Sequence, residues 1–200
     1  MTPRTICYAM LFCTLLGAGF AQAGAHPAEE IVKHTSDQVI ARLKADRDQL
    51  NAHPEMIYSL VDELILPHFD FYGMSRWVLG KNWRGASEQQ REAFTVQFQT
   101  LLVRTYAKAL LEYSDNEITY FPVQADDRTE LVVVKTEVAQ TGASKIPIHY
   151  SLHVKNGAWK VVDVAINGIS LVSTYRGSFA TEIRNNGLDS LINQIGRAHV

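Results

Sequence analysis

Of the side chains in this sequence that can do chemistry, the histidines come first, because seven of them raise the question of a metal site. His149 and His153 stand four apart in a stretch where apolar and polar residues alternate. On a strand, a rise of about 3.3 Å per residue separates them by roughly 13 Å, too far for one ion. His68 and Asp70 lie two apart after Pro67 and could form one arm of a metal or catalytic site, yet no partner cluster accompanies them. A helix cap or a structural hydrogen bond is the simpler role for the pair. Asp163 falls in the apolar series Trp159, Val161 and Ala165, where an unpaired carboxylate is costly to bury. Beside Tyr150 it could serve as a general base with a raised pKa. The plainer reading places it near the sheet edge, held by Tyr150 or an arginine. No G-x-S-x-G, phosphate loop or H-E-x-x-H is present, and no nucleophile stands out for a triad.

The N-terminus reads as an export signal. Arg4 precedes an apolar run over residues 6–20, and two overlapping A-x-A sites follow at Ala21, Ala23 and Ala25. That run is shorter than the roughly 20 residues a bilayer core demands. Cys13 follows Met10, Leu11 and Phe12, and the bulky phenylalanine argues against lipidation. Cleavage near residues 23–25 leaves a domain over 26–195. Both cysteines, Cys7 and Cys13, depart with the leader, so the mature chain has no thiol for a disulfide, a metal or catalysis. One arginine leaves as well, giving 18 basic against 21 acidic residues, a balance that implies no nucleic-acid partner.

The elements that must position these residues fall into two blocks. Residues 26–66 carry helical periodicity in two segments: Ile31, Val32, Val39, Ile40 and Leu43, then Ile57, Leu60, Val61, Leu64 and Ile65. His53-Pro54 separates them and Pro67 ends the second. A short helix is expected over 71–79, then a loop with Gly80, Trp83 and Gly85. Ser87 and Gln90 form a capping box that opens the longest helix, reaching about Tyr113. From there the period becomes two, giving strands over 117–123, 129–139, 145–155 and 158–166. Asn156-Gly157 marks a two-residue hairpin, which pairs Val154 with Trp159, Leu152 with Val161 and Tyr150 with Asp163 on one face. His153 with Lys160 and Ser151 with Val162 take the other. Two helices over 174–185 and 188–195 close the chain. Helices first and strands later give an α+β fold, an antiparallel curved sheet of about four strands against several helices.

The long helix is apolar over an unusually wide arc, through Phe94, Phe98, Leu101, Leu102, Tyr106, Ala109, Leu110 and Tyr113. Such a stripe opposite an apolar sheet face either fills a core or curves around a hollow. Periodicity alone does not distinguish the two.

A resemblance bears on that choice. Residues 67–71 (PHFDF) and 74–84 (MSRWVLGKNWR), then 90–94 (QREAF) with Phe98, then 101–106 (LLVRTY), resemble the MlaC family of periplasmic phospholipid-binding, or toluene-tolerance, proteins. The likeness resumes at Val162 and Val164, at 166–172 (INGISLV), at Tyr175, Arg176 and Phe179, and at 187–189. It implies an NTF2-like carrier, not an enzyme, with phospholipid as cargo and no cofactor. It further implies a periplasmic monomer moving lipid between an outer-membrane MlaA-type lipoprotein with its porin and an inner-membrane ABC transporter presenting an MlaD-type subunit. That role maintains outer-membrane lipid asymmetry. Residues 196–200 depart from the family pattern and carry no reading. On this view Phe94, Phe98, Leu102, Tyr106 and Leu110 form one cavity wall, and Tyr150, Leu152, Trp159 and Val161 the other. The competing readings are an NTF2-like enzyme using Asp163 as general base, and a protein-binding module with solidly packed apolar faces.

Overall fold

The computed structural model describes residues 25–112, 116–124, 129–140 and 142–197. The expected leader, the helix end at Tyr113 and residues 198–200 of the tail lie outside the described residues. The first helices are α1 (Pro27–Ala45), α2 (Arg47–Ala52) and α3 (Met56–Leu64), followed by a 3₁₀ turn at Leu66–His68. Next come α4 (Phe71–Leu79), α5 (Asn82–Gly85), α6 (Glu88–Tyr106) and α7 (Ala109–Glu112). Strands β1 (Ile118–Phe121), β2 (Leu131–Gln140), β3 (Ala143–Lys155), β4 (Ala158–Ile166) and β5 (Ile169–Ser170) lead to α8 (Leu171–Asn186) and α9 (Leu188–Arg197).

Local chemistry explains most of these boundaries. Pro27 at the first helical position suits α1, because its missing N–H has no partner to lose there. The capping box opens α6 as expected: the Ser87 hydroxyl accepts from the Gln90 N–H at 3.1 Å, and the Ser87 N–H donates to Gln90 Oε1 at 3.0 Å. The long helix does not run on smoothly. At Ala107 and Lys108 it tightens, with Leu110 N–H to Ala107 O and Leu111 N–H to Lys108 O in place of the regular α ladder, and α7 resumes beyond.

The sheet is a meander in strand order β1-β2-β3-β4-β5, every neighbouring pair antiparallel. The β3–β4 hairpin has Asn156 at φ 52° and Gly157 at φ 77°, as a type I′ turn requires. The same two-residue signal recurs at Asn167 (φ 52°) and Gly168 (φ 79°) and makes the fifth strand. Up to Leu152 the expected register holds: Val154 faces Trp159, His153 faces Lys160 and Leu152 faces Val161. Beyond it a β-bulge inserts Val162, so Ser151 faces Asp163 and Tyr150 faces Val164. The expected pairings of Tyr150 with Asp163 and Ser151 with Val162 are therefore corrected by one extra residue, which sends Asp163 to the opposite face.

Three apolar clusters result. One joins Met74, Val78, Phe94, Phe98, Val172, Phe179, Leu191 and neighbours among α4, α6, α8 and α9. The second joins α1, α2 and α3 to Ala107, and the third packs Ala28 and Val32 against Val132, Val134, Leu152 and Val161 of the sheet. Phe69 touches both the first and the third, where its backbone bridges to Val161 along the uncovered edge of β4. No described helix is long and apolar enough to cross a membrane.

Candidate functional site: an apolar cavity between helices and sheet

Cross-strand pairing stacks apolar residues in rows on one sheet face. Ile118, Val138 and Ile146 form one row, Thr136, Ile148 and Ile166 the next, and Val134, Tyr150 and Val164 the third. Opposite these rows run α1, α3 and the junction of α6 with α7. The space between is not filled by side chains. It is a cavity of about 420 Å³, bordered by Val39, Ile40 and Leu43 of α1, Val61 and Ile65 near α3, and Leu102, Val103 and Tyr106 of α6. Ala109 and Leu110 of α7 and Ile146, Ile148, Tyr150, Val164 and Ile166 of the sheet complete it. This volume lies within the usual range of ligand pockets, about 300–1,000 Å³.

The lining is almost wholly hydrocarbon. Thr35, Ser36, His68, Tyr106 and Tyr150 are its polar side chains, and among the described residues no Asp, Glu, Lys or Arg borders it. Burial, then the nearby Lys160 and His34, lower the His68 pKa from its ordinary 6.5, so the ring is neutral at pH 7. Burial raises the Tyr150 phenol to about 12, reinforced by Tyr120 and opposed by a hydrogen bond with Thr136. At neutral pH none of the described wall residues carries a formal charge. Such a surface gains by contact with alkyl chains and offers little to a polar substrate.

Of the residues expected to form the walls, Leu102, Tyr106 and Leu110 border the cavity on the helix side, and Tyr150 and Val161 on the sheet side. The other four lie elsewhere. Phe94 and Phe98 have no exposed surface and stack at 5.6 Å between ring centroids, with Phe179 meeting both edge-on. Leu152, also fully buried, belongs to the packed row with Val132 and Val161. Trp159 sets its ring edge-to-face against His26 at 5.1 Å. The helical stripe of α1 and the aliphatic rows of the sheet supply walls that the expected set omitted. Ile40, Leu43, Ile148 and Ile166 were visible as periodic apolar positions, but only the tertiary arrangement turns them toward a hollow.

The polar candidates have structural tasks. Asp70 caps α4, accepting from the Gly73 N–H at 3.0 Å, and also takes Lys155 Nζ at 2.6 Å and His153 Nε2 at 2.9 Å. Burial pushes its carboxyl up, but the bonds from Lys155, Gly73 and His153 outweigh that and hold it below the ordinary 3.8. Gly73 is necessary to this cap, because a Cβ there would fall 2.4 Å from Asp70 Oδ2. Asp163 accepts from the Ser170 hydroxyl at 2.5 Å and the Val172 N–H at 3.1 Å, closing the start of α8. It does not border the cavity. The enzyme reading that paired it with Tyr150 loses its geometry, and the solidly packed module is excluded by the hollow. Among the described residues no group of three or more His, Cys, Asp and Glu is placed to hold a metal.

Comparison with known proteins bears on the same site. The family model described as MlaC protein matches residues 33–197. A toluene tolerance protein, ttg2D, of Pseudomonas putida is 31% identical over 166 residues, covering 82% of this chain and 77% of that protein. The intermembrane phospholipid transport system binding protein MlaC of Haemophilus influenzae is 23% identical over 168 residues, covering 82% and 78%. A solved structure of a phospholipid-binding protein from Ralstonia solanacearum, in complex with a phospholipid, superposes with a TM-score of 0.80 at 30% identity. That match covers 87% of this chain and 97% of that one.

Proposed function

The chain belongs to the MlaC family, and from that premise we propose that it is a phospholipid carrier of an intermembrane transport system and shelters acyl chains in the cavity between its sheet and α1, α3, α6 and α7. The observation that carries this reading is the uncharged hydrocarbon lining of a hollow of about 420 Å³. An acyl chain of about fifteen CH₂ groups costs on the order of 12 kcal/mol to expose to water, at roughly 0.8 kcal/mol per group. Lipid therefore does not cross an aqueous compartment unaided, and a protein with an apolar interior removes most of that penalty.

The fuller version follows the family. The leader over residues 1–25 is cleaved in export and the mature monomer works in the periplasm. It collects or delivers lipid at an outer-membrane MlaA-type lipoprotein with its porin, exchanges it with an MlaD-type subunit of an inner-membrane ABC transporter, and so maintains outer-membrane lipid asymmetry. Mass spectrometry of organic extracts of the mature protein, purified from the periplasm, tests the cargo. Phospholipid is expected from the wild type. Leu102→Trp, which fills cavity volume, should carry less at an unchanged melting temperature. Extracts without lipid, or a tryptophan variant as loaded as the wild type, would end the proposal.

A further inference from the structure

At the end of α6 away from the cavity, the surface has a different character. Arg76 and Trp77 in the last turn of α4, Gly80 beyond it, Trp83 and Arg84 of α5, Arg91 in the first turn of α6 and Arg176 of α8 line one recess of about 770 Å³. At 1.5 Å per residue, roughly 16 Å of helix separate Arg91 from Leu102, the first residue of α6 at the cavity wall. The packed rings of Phe94, Phe98 and Phe179 lie between, so the recess is not the mouth of the cavity.

Four guanidinium groups thus share one depression on a chain whose net charge is −2. Neither α4 nor α5 contains an acidic residue, and no described carboxylate pairs with any of the four. Two of them are positioned by the fold. Arg91 donates from Nε to the Trp83 carbonyl at 3.0 Å and from Nη2 to the Arg84 carbonyl at 3.4 Å, with its guanidinium 5.3 Å from the Trp83 ring centroid. Arg176 lies across Gly80, whose φ of +52° favours glycine and where a Cβ would sit 2.8 Å from Nη2 and push the guanidinium aside. Arg76 and Arg84 are exposed at the rim, and Trp77 beside them is 38% exposed.

Like charges gathered without counter-ions cost stability, and here they are arranged around a concavity rather than dispersed. Arginine forks bind planar oxyanions through two parallel hydrogen bonds, and arginine and tryptophan are the usual anchors of protein interfaces. An acidic chain segment brings several carboxylates to the four arginines at once, whereas phosphatidylglycerol or inorganic phosphate brings a single phosphate.

We propose that this recess docks an acidic segment of a partner protein, its carboxylates taken by Arg76, Arg84 and Arg176. The test is fluorescence anisotropy of a labelled glutamate-rich peptide with the mature protein over a salt series. Parallel samples contain phosphatidylglycerol vesicles or inorganic phosphate in place of the peptide. Peptide binding should weaken with salt and fall about tenfold in Arg76→Glu/Arg84→Glu, which reverses two exposed charges. It should fall less in Arg76→Lys/Arg84→Lys, which keeps charge but loses the fork and guards against misfolding of the first variant. Equal peptide binding by the wild type and the glutamate variant overturns the assignment. So does binding of vesicles or of phosphate without binding of the peptide, since these make the recess a membrane contact or a small-anion site. Lipid content is read from the same preparations, so failure of the carrier reading is seen separately.

Discussion

The two ends of α6 carry similar apolar side chains and meet opposite surroundings. At the N-terminal end Phe94 and Phe98 are fully buried, closed in by Phe179 and Tyr175, whose rings meet them edge-on at 5.4–6.2 Å. At the C-terminal end Leu102, Val103 and Tyr106 face the hollow, across which the nearest walls are the aliphatic rows of the sheet and the stripe of α1. Large rings interlocked with other large rings leave no gap, while branched aliphatics on elements held apart do. The stripe on a helix is thus a property of one element, and filling is a property of the distance to the next.

Truncation separates the two ends most sharply. Phe98→Ala opens a void among rings that cannot collapse, with an expected loss of about 3–5 kcal/mol in urea unfolding. Leu110→Ala removes atoms that already border a hollow and should cost only about 1 kcal/mol. Equal losses at the two positions would mean that the hollow is closed in solution and the contrast is false.

Between the ends lies a seam, and its weak point is Asp70, which ties α4 of the solid half to β3 of the hollow half through His153 and Lys155. Asp70→Ala removes a cap and two charge-assisted bonds, for an expected loss of about 2 kcal/mol. The Lys155 side chain is 40% exposed, which limits its share. Because the folded carboxyl titrates below 3.8, the unfolded chain takes up its proton first as pH falls. The stabilisation is complete above the ordinary carboxylate range and disappears as pH drops through the lowered folded value. Asp70→Asn should therefore flatten the acid limb of a stability–pH curve. An unchanged limb would show that the seam does not depend on this charge.

A smaller effect at the same seam carries a sign opposite to helix propensity. Alanine normally stabilises a helix over glycine by about 1 kcal/mol. At Gly73 its Cβ would collide with Asp70 Oδ2, so Gly73→Ala is expected to lose about 1 kcal/mol in thermal unfolding. A gain would show that the cap can shift aside freely.

Much of this was legible in the sequence, for local reasons. The capping box at Ser87 and the Asn156-Gly157 turn depend on residues close in the chain, and both form as their chemistry dictates. Asn167-Gly168 carries the same turn signal, yet the expected sheet stopped at about four strands, because a fifth strand of two residues is too short to show alternation. The bulge at Val162 was hidden, because a period-two reading assumes one residue for one, and that single insertion exchanged Asp163 for Val164 opposite Tyr150. Two of the five residues expected on the helix wall, Phe94 and Phe98, were displaced for a related reason. Phe94 is closed off by the Phe179 ring of α8, an element that begins more than seventy residues after it in the chain, and no local pattern announces that contact.

The finest distinction between the two ends can be read from tyrosine ionisation. Tyr150 in the cavity wall and Tyr175 in the aromatic cluster are both pushed up to about 12, each chiefly by burial. Tyr120 adds to the first, and the Tyr106 hydroxyl to the second. Their neutral forms favour the fold, so this contribution is whole below the ordinary 10 and is lost as pH rises toward 12. In ultraviolet titration both should remain un-ionised where exposed tyrosines have titrated, with Tyr150→Phe and Tyr175→Phe assigning the two steps. Stripping the interior with detergent and detergent removal admits water to one end only. The Tyr150 midpoint should then fall, and that of Tyr175, whose ring packs against Phe98 and Phe179, should move less. Equal movement of both would show that water reaches the aromatic end as readily as the hollow, and no difference in filling would be left to explain.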